Sequence, residues 1–291
     1  MKDVFVRSLK EGEKRRFFEF ARSLPDRDFW GKKGRLLRGN FQAFQGFFQY
    51  IKPFQPRCFL VAEEEDKLVG FIVAVYNPEW ISELTERYGY DVDKRAYILG
   101  IACVQRRKDV LNVLTNELTS YFSRSGVKSV EYPTLGNVCL TTGTDVLTAE
   151  NVDVLIMFRE AGFRISECYY SMKLELERCM CSGEYPLEEG QFRFKERSIE
   201  IVHENEVLGN ITWDPVEHGK TNMGISVVRA RRGRRLGTAL MAKALDRLKT
   251  EGAKVIELGV DGNNLQALGM YRRFGFKVYA THFYIIRPCA R

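Results

Sequence analysis

The sequence predicts an α/β protein made of two copies of one domain, each a mixed, mostly antiparallel twisted sheet flanked by helices. Three observations carry this. After Ser198, strand-length apolar runs alternate with two stretches of helical period. Gly126-Val-Lys-Ser-Val-Glu131 returns as Gly252-Ala-Lys-Val-Ile-Glu257, and Met157-Phe-Arg-Glu-Ala-Gly-Phe163 returns as Met270-Tyr-Arg-Arg-Phe-Gly-Phe276, in the same order. Between the copies, Arg178-Cys-Met-Cys-Ser-Gly-Glu-Tyr-Pro186 and Glu188-Glu-Gly190 are polar and rich in turn formers. The expected boundaries are 1–178 for the first domain, 179–190 for a linker and 191–291 for the second domain.

In the second copy, Ser198-Ile-Glu-Ile-Val-His203 and Val207-Leu-Gly-Asn-Ile-Thr-Trp213 flank Glu204-Asn-Glu206 and read as a hairpin. Pro215 to Lys220 is a turn, and Asn222-Met-Gly-Ile-Ser-Val-Val228 is the third strand. Leu236, Leu240, Ala244 and Leu248 recur every four residues, which puts one buried face on a helix, and Gly252 stands where that helix should stop. Val255-Ile-Glu-Leu-Gly-Val260 is a buried strand, and Asn264 to Phe274 is a short helix ended by Gly275. Phe276-Lys-Val-Tyr279 and Phe283-Tyr-Ile-Ile286 are expected to close the sheet as two strands.

The first copy repeats this pattern with decay. Cys58-Phe-Leu-Val-Ala62 and Leu68 to Tyr76 flank Glu63-Glu-Glu-Asp-Lys67 as strand, turn and strand. The interval between the repeated motifs is longer here, with the extra chain between Tyr132 and Asn151, around Thr141-Thr-Gly-Thr144. Ahead of the strands, Phe29, Trp30, Phe41, Phe44, Phe47, Phe48, Tyr50 and Phe54 are interleaved with Lys32, Lys33, Arg35 and Arg38. Aromatic residues at helical spacing mean burial in a helical pair, or the lining of part of a pocket.

Composition narrows the class. Of 291 residues, 45% are hydrophobic, enough for a packed core throughout. Val69-Gly-Phe-Ile-Val-Ala-Val-Tyr76 is far shorter than the ~20 residues of a membrane span, and Met1-Lys-Asp-Val-Phe-Val lacks the apolar core of a signal peptide. A cytoplasmic protein without a membrane partner is expected. Seven scattered cysteines argue against a disulfide framework. Cys179 and Cys181 are the one close pair, with His203, His218 and His282 distant in sequence, so no metal site is expected. Oligomeric state is not legible.

The net charge of +7 is concentrated in Val227-Val-Arg-Ala-Arg-Arg-Gly-Arg-Arg-Leu-Gly-Thr-Ala-Leu240, where Arg229, Arg231, Arg232, Arg234 and Arg235 join a strand to a helix. A helix start offers unpaired N–H groups and the positive end of its dipole, and glycine lets backbone approach a ligand, so this stretch describes an anion cradle. Nucleic acid would also suit the arginines, but glycines at the strand-to-helix junction argue against it.

The stretch resembles the pyrophosphate-binding loop of GNAT acetyltransferases, Arg/Gln-x-x-Gly-x-Gly/Ala after the fourth strand. Arg232 matches the leading basic residue, Gly233 the glycine often found after it and Gly237 the last glycine. Arg235 stands at the central glycine. Asn264-Leu-Gln-Ala-Leu-Gly-Met-Tyr-Arg-Arg-Phe-Gly-Phe276 is similar to the family's Asn-x-x-Ala-x-x-x-Tyr-x-x-x-Gly-Phe segment. The resemblance implies tandem GNAT-like domains and acetyl-CoA as co-substrate. Ile225, Ser226 and Val227 would hold the pantetheine arm through their backbone. Arg232, Gly233, Arg234, Arg235, Leu236, Gly237 and Thr238 would hold the pyrophosphate, Asn264 would lie beside the cofactor, and Tyr271 would protonate the departing thiolate. The acceptor would be an amine on a small molecule or peptide. Glu257, Asp214, Glu217 and His218 are the candidate general bases, and spacing singles out none. A non-catalytic acyl-CoA-binding sensor is the alternative.

The first copy lacks this equipment. Phe158 stands at the place of Tyr271, and Val104-Gln-Arg-Arg-Lys-Asp-Val-Leu111 keeps Gln105, Arg106, Arg107 and Lys108 but no glycine. This copy is expected not to be catalytic.

Overall fold

The computed structural model describes residues 3–29, 32–33, 35–76, 94–132, 141–142, 147–179 and 185–289. Trp30, Gly143-Thr144 of the long loop and 180–184 of the linker, Cys181 included, lie outside them. The chain forms two compact units: Met1–Glu167 with His282–Arg291, and Cys168–Thr281.

The strands of the first unit are β1 (Phe5–Ser8), the short β2 (Lys32–Lys33), β3 (Arg57–Glu64), β4 (Lys67–Val75), β5 (Arg95–Cys103), β6 (Ser129–Tyr132) and the short β7 (Thr141–Thr142). β1, β3, β4 and β5 pair antiparallel in that order, and β5 pairs β6 in parallel. β2 pairs β7 separately. The helices are α1 (Lys14–Ser23), α2 (Arg35–Arg38), α3 (Phe41–Tyr50), α4 (Lys108–Arg124) and α5 (Val152–Glu160). Asn40 caps α3, its Oδ1 accepting from the Ala43 N–H at 2.9 Å. Val110, Leu111, Leu114, Leu118 and Phe122 form the buried stripe of α4 and pack with Phe158 of α5 on one sheet face. Phe17, Phe44 and Phe47 pack with Phe71, Val73 and Leu99 on the other face. Phe29, Phe41, Phe44, Phe47, Phe48 and Phe54 therefore pack in the core of their own unit, while Tyr50 is exposed.

The second unit contains β8 (Arg164–Glu175) from Cys168 onward, β9 (Gln191–Lys195), β10 (Ser198–His203), β11 (Glu206–Trp213), β12 (Lys220–Val227), α6 (Leu236–Thr250), β13 (Val255–Asp261) and α7 (Leu265–Phe274). β9 to β12 pair antiparallel in order, β12 pairs β13 in parallel, and β13 pairs β8 antiparallel. This is the pattern of the first unit: four antiparallel strands, then a parallel partner. Both central hairpins turn through two left-handed residues, Glu65-Asp66 and Glu204-Asn205. One apolar cluster, including Leu240, Leu248, Ile256, Leu258 and Phe274, fills the α6/α7 side of the sheet.

One sequence expectation is corrected. The closing segment is one strand, β14 (Lys277–Pro288), not two. In the compact units the sixth strands are exchanged relative to chain order. β8 follows the α5 motif of the first copy, yet Tyr169–Glu175 pair with Asp261–Val255 and bury Met172 and Leu174 in the second core. Conversely, Ile285–Pro288 of β14 pair with Tyr132–Ser129 of β6, and Ile285 lies in the first core. Apolar alternation marks a strand and its inward face, but not which sheet edge it joins. β9 was also not foreseen, although Phe192 and Phe194 alternate in it; four of its five residues are exposed. Among the described residues no helix is long and apolar enough to cross a membrane.

Candidate functional site

The opening in the second unit lies between two strands that begin paired and then part. β12 pairs β13 only over Lys220–Asn222 with Val255–Glu257, yet β12 continues to Val227 and β13 to Asp261. Backbone groups of Met223–Val227 on that side are available to an extended ligand arm, because strand edges carry a row of donors and acceptors. Ile225, Ser226 and Val227 lie on this stretch as expected, with Ile225 and Val227 turned toward the core and Ser226 exposed. The Ser226 hydroxyl donates to Asn210 Oδ1 at 2.7 Å.

Beyond Val227, a single turn at Arg229–Arg231 leads to α6. Gly233 has φ 85° with open space where a Cβ would stand. Arg235 has φ 59° and ψ 9° and caps α6 without any side-chain hydrogen bond. The first helical bond runs from Ala239 N–H to Arg235 O at 3.0 Å. The N–H groups of Leu236, Gly237 and Thr238 are thus the uncapped donors of the helix start. A Cβ at Gly237 would meet Met270 Sδ at 3.4 Å and Val227 Cγ2 at 3.7 Å, ordinary contact. The left-handed backbone at 235 explains why glycine suits that place; an arginine there costs about 1–2 kcal/mol of local strain.

The arginines are not equivalent. Arg232 Nε donates to Val227 O at 3.2 Å and so braces the loop against the strand end. Arg231 and Arg234 share one carboxylate, Glu189, at 3.1 and 3.0 Å. Among the described residues, the side chains of Arg229 and Arg235 have no carboxylate partner. Glu189 was not foreseen; it sits in the turn-rich stretch read as a linker.

Asn264 Oδ1 accepts from the Ala267 N–H at 3.2 Å, which commits this side chain to capping α7 and gives the Asn-x-x-Ala spacing a structural cause. Tyr271, on α7, is 4% exposed. Burial, and then the neighbouring Tyr169 and Asp261, raise its phenol far above the ordinary tyrosine range. It stays protonated and can donate.

Tyr169 reaches this region from β8. Its hydroxyl lies against Gly259 of β13, where a Cβ would fall 1.3 Å from it, so Gly259 is the notch that admits the ring. Glu257 is the last β13 residue paired to β12 and marks the vertex of the opening. Tyr279 Oη donates to Glu257 Oε2 at 3.2 Å. The other candidate bases stand apart: Asp214 Oδ2 accepts from Asn222 Nδ2 at 3.4 Å, while Glu217 and His218 form the tight turn before β12. Tyr169, Asp261 and Tyr279 gave no spacing signal; Gly259 and Gly262 in and after a strand were the one available hint.

The corresponding opening in the first unit is closed by its own chain. β5 pairs β6 only over Arg95–Tyr97, and further along β5 Ala102 is bridged antiparallel by Phe29. Arg106 Nη2 donates to Phe29 O at 3.1 Å, Arg107 is held by Glu64 and Asp109, and Phe158 is fully buried.

In the second unit the parted parallel strand pair leads into the uncapped helix start. Residues 166–276 match the Acetyltransferase (GNAT) family. A mycothiol acetyltransferase of Clavibacter michiganensis is 38% identical over 73 residues, 24% of this chain. The match spans only 23% of that protein. Over nearly the whole chain, the fold is similar to a tandem GNAT protein from the clavulanic acid biosynthesis pathway (12% identity, TM-score 0.55, 99% of each chain). It is also similar to a GCN5-related N-acetyltransferase from Sphaerobacter thermophilus (14% identity, TM-score 0.54, 99% of this chain and 96% of that one).

Proposed function

We propose that the second unit transfers an acetyl group from acetyl-CoA to a primary amine by direct attack, and that the first unit is a non-catalytic GNAT-like copy. The observation that carries this is the parting of β12 and β13 beside the uncapped start of α6. The backbone of Ile225–Val227 aligns the pantetheine arm, and the N–H groups of Leu236–Thr238, with Arg235, receive the pyrophosphate. The amine lone pair attacks the thioester carbonyl carbon, its proton passes to Glu257, the C–S bond breaks, and the thiolate takes the proton of Tyr271. Glu257 is preferred over Asp214, Glu217 and His218 because it stands at the vertex of the opening with a phenol oriented on it.

Thiol release across an amine panel tests the reading. Tyr271→Phe should slow turnover ~10²–10⁴-fold while acetyl-CoA still binds with one site per chain. Unchanged turnover removes Tyr271 from the mechanism. The alternative, a non-catalytic acyl-CoA sensor, is favoured by the two arginines already neutralised by Glu189. Acetyl-CoA binding without thiol release for any amine would establish it.

A further inference from the structure

Beside the proposed base, the second unit has a cavity of about 630 Å³. Lys173 and Glu175 of β8, Arg178, Arg272 at the end of α7, and Phe276 and Lys277 line it. Arg178 pairs with Glu175 at 2.8 Å, which leaves Lys173, Arg272 and Lys277 as a net positive wall over an apolar floor. That volume and composition suit a small ligand site.

Lys173 ties this cavity to the acyl-transfer opening. It stands directly across from Glu257 in the β8/β13 register, a placement that brings side chains to about 5 Å at Cβ. No ion pair forms between them. The Lys173 ammonium instead lies 5.9 Å from the centre of the Tyr279 ring, while the Tyr279 hydroxyl donates to Glu257. One tyrosine therefore separates a carboxylate at the vertex from an ammonium at the mouth of a basic cavity.

We infer that the acceptor carries an anionic group next to its amine, the amine delivered to Glu257 and the anion held by Lys173, Arg272 and Lys277. This rests on the transfer reading above. Arg272 and Lys277 select the acceptor by charge; their side chains are exposed, so substitution leaves the core intact.

The test pairs anionic and neutral amines: O-phosphoethanolamine with ethanolamine, and β-alanine with its amide, in thiol-release assays on the full chain. The anionic member of each pair should give at least tenfold higher kcat/KM. In Arg272→Ala/Lys277→Ala that ratio should collapse by about tenfold, the scale of a lost charge-assisted contact. In parallel, O-phosphoethanolamine is titrated calorimetrically with CoA saturating the arginine loop, and binding should weaken at least tenfold in the double variant. Neutral amines turned over as well as their anionic partners, or a double variant unchanged in both assays, would overturn the inference while transfer stands. Binding lost in the double variant with no thiol release from any amine would uphold the anion site and overturn the transfer reading instead.

Discussion

Arg235 sits in the left-handed region, exposed and without a cap bond, and its replacement by glycine separates two effects of one side chain. A non-glycine residue there costs about 1–2 kcal/mol relative to a relaxed backbone. Glycine returns about 0.5–1 kcal/mol of that through its greater freedom in the unfolded chain. The net expectation for Arg235→Gly is a gain of about 0.5–1 kcal/mol, a rise in Tm of about 1–3 °C for a chain of this size. If the guanidinium also contacts the pyrophosphate, the variant loses one charge-assisted hydrogen bond, about 1.5–3 kcal/mol, and binds CoA at least tenfold more weakly. Thermal unfolding without ligand reads the first effect, and calorimetric titration with CoA reads the second. Opposite signs are expected. A lower Tm in the unliganded variant would refute the strain argument. Unchanged CoA affinity would show that only the backbone at 235 serves the phosphate.

Further outcomes follow from the same geometry. Tyr271 keeps its proton when folded but ionises near pH 10 once unfolded, so the unfolded chain binds fewer protons there and stability falls as pH rises above about 10, by up to about 1.4 kcal/mol per pH unit for this phenol. Urea unfolding of Tyr271→Phe across that range should show a shallower fall, and an identical slope would contradict the burial argument. Burial pushes the Cys58 thiol up to about 12, so in the native protein it should react with a disulfide reagent only as fast as the unit opens; rapid labelling at neutral pH would be incompatible with that burial. Glu189→Gln releases Arg231 and Arg234, and CoA affinity should rise and become more salt-dependent; weaker binding would mean that Glu189 organises the loop for its ligand. A fragment 191–291 lacks β8, which leaves the β13 edge bare and removes Met172 and Leu174 from the core, about 2 kcal/mol each. It should aggregate, and a soluble fragment that binds CoA would show that β8 is dispensable.

The sequence carried most of the sheet order in the second unit, because its strands alternate against one helical stripe and Leu236, Leu240, Ala244 and Leu248 announce the helix they pack on. The candidate loop and Tyr271 stand out because glycines, arginines and a tyrosine stand at fixed spacing. What stayed hidden depends on contacts distant in sequence. Nothing in Tyr169-Tyr-Ser-Met172 says that it pairs with Asp261–Leu258 rather than with β6, since both edges accept the same apolar alternation. Glu189 looked like a linker residue because its two partners lie beyond four intervening strands. The Asn264 Oδ1 caps its own helix, a local role that the same N-terminal spacing serves.

The exchanged strands also order events during synthesis. β6 of the first unit has Ile285–Pro288 as its antiparallel neighbour, while Tyr132 leaves the ribosome some 150 residues earlier. At about 5–20 residues per second that delay is about 8–30 s, during which the β6 edge lacks its antiparallel partner and is open to mispairing with other chains. Cys168 to Glu175 is made early and waits for β13 in the same way. The two halves are therefore one folding unit in time: a chain stopped between them holds a first sheet without its β14 partner and a β8 with no sheet to join.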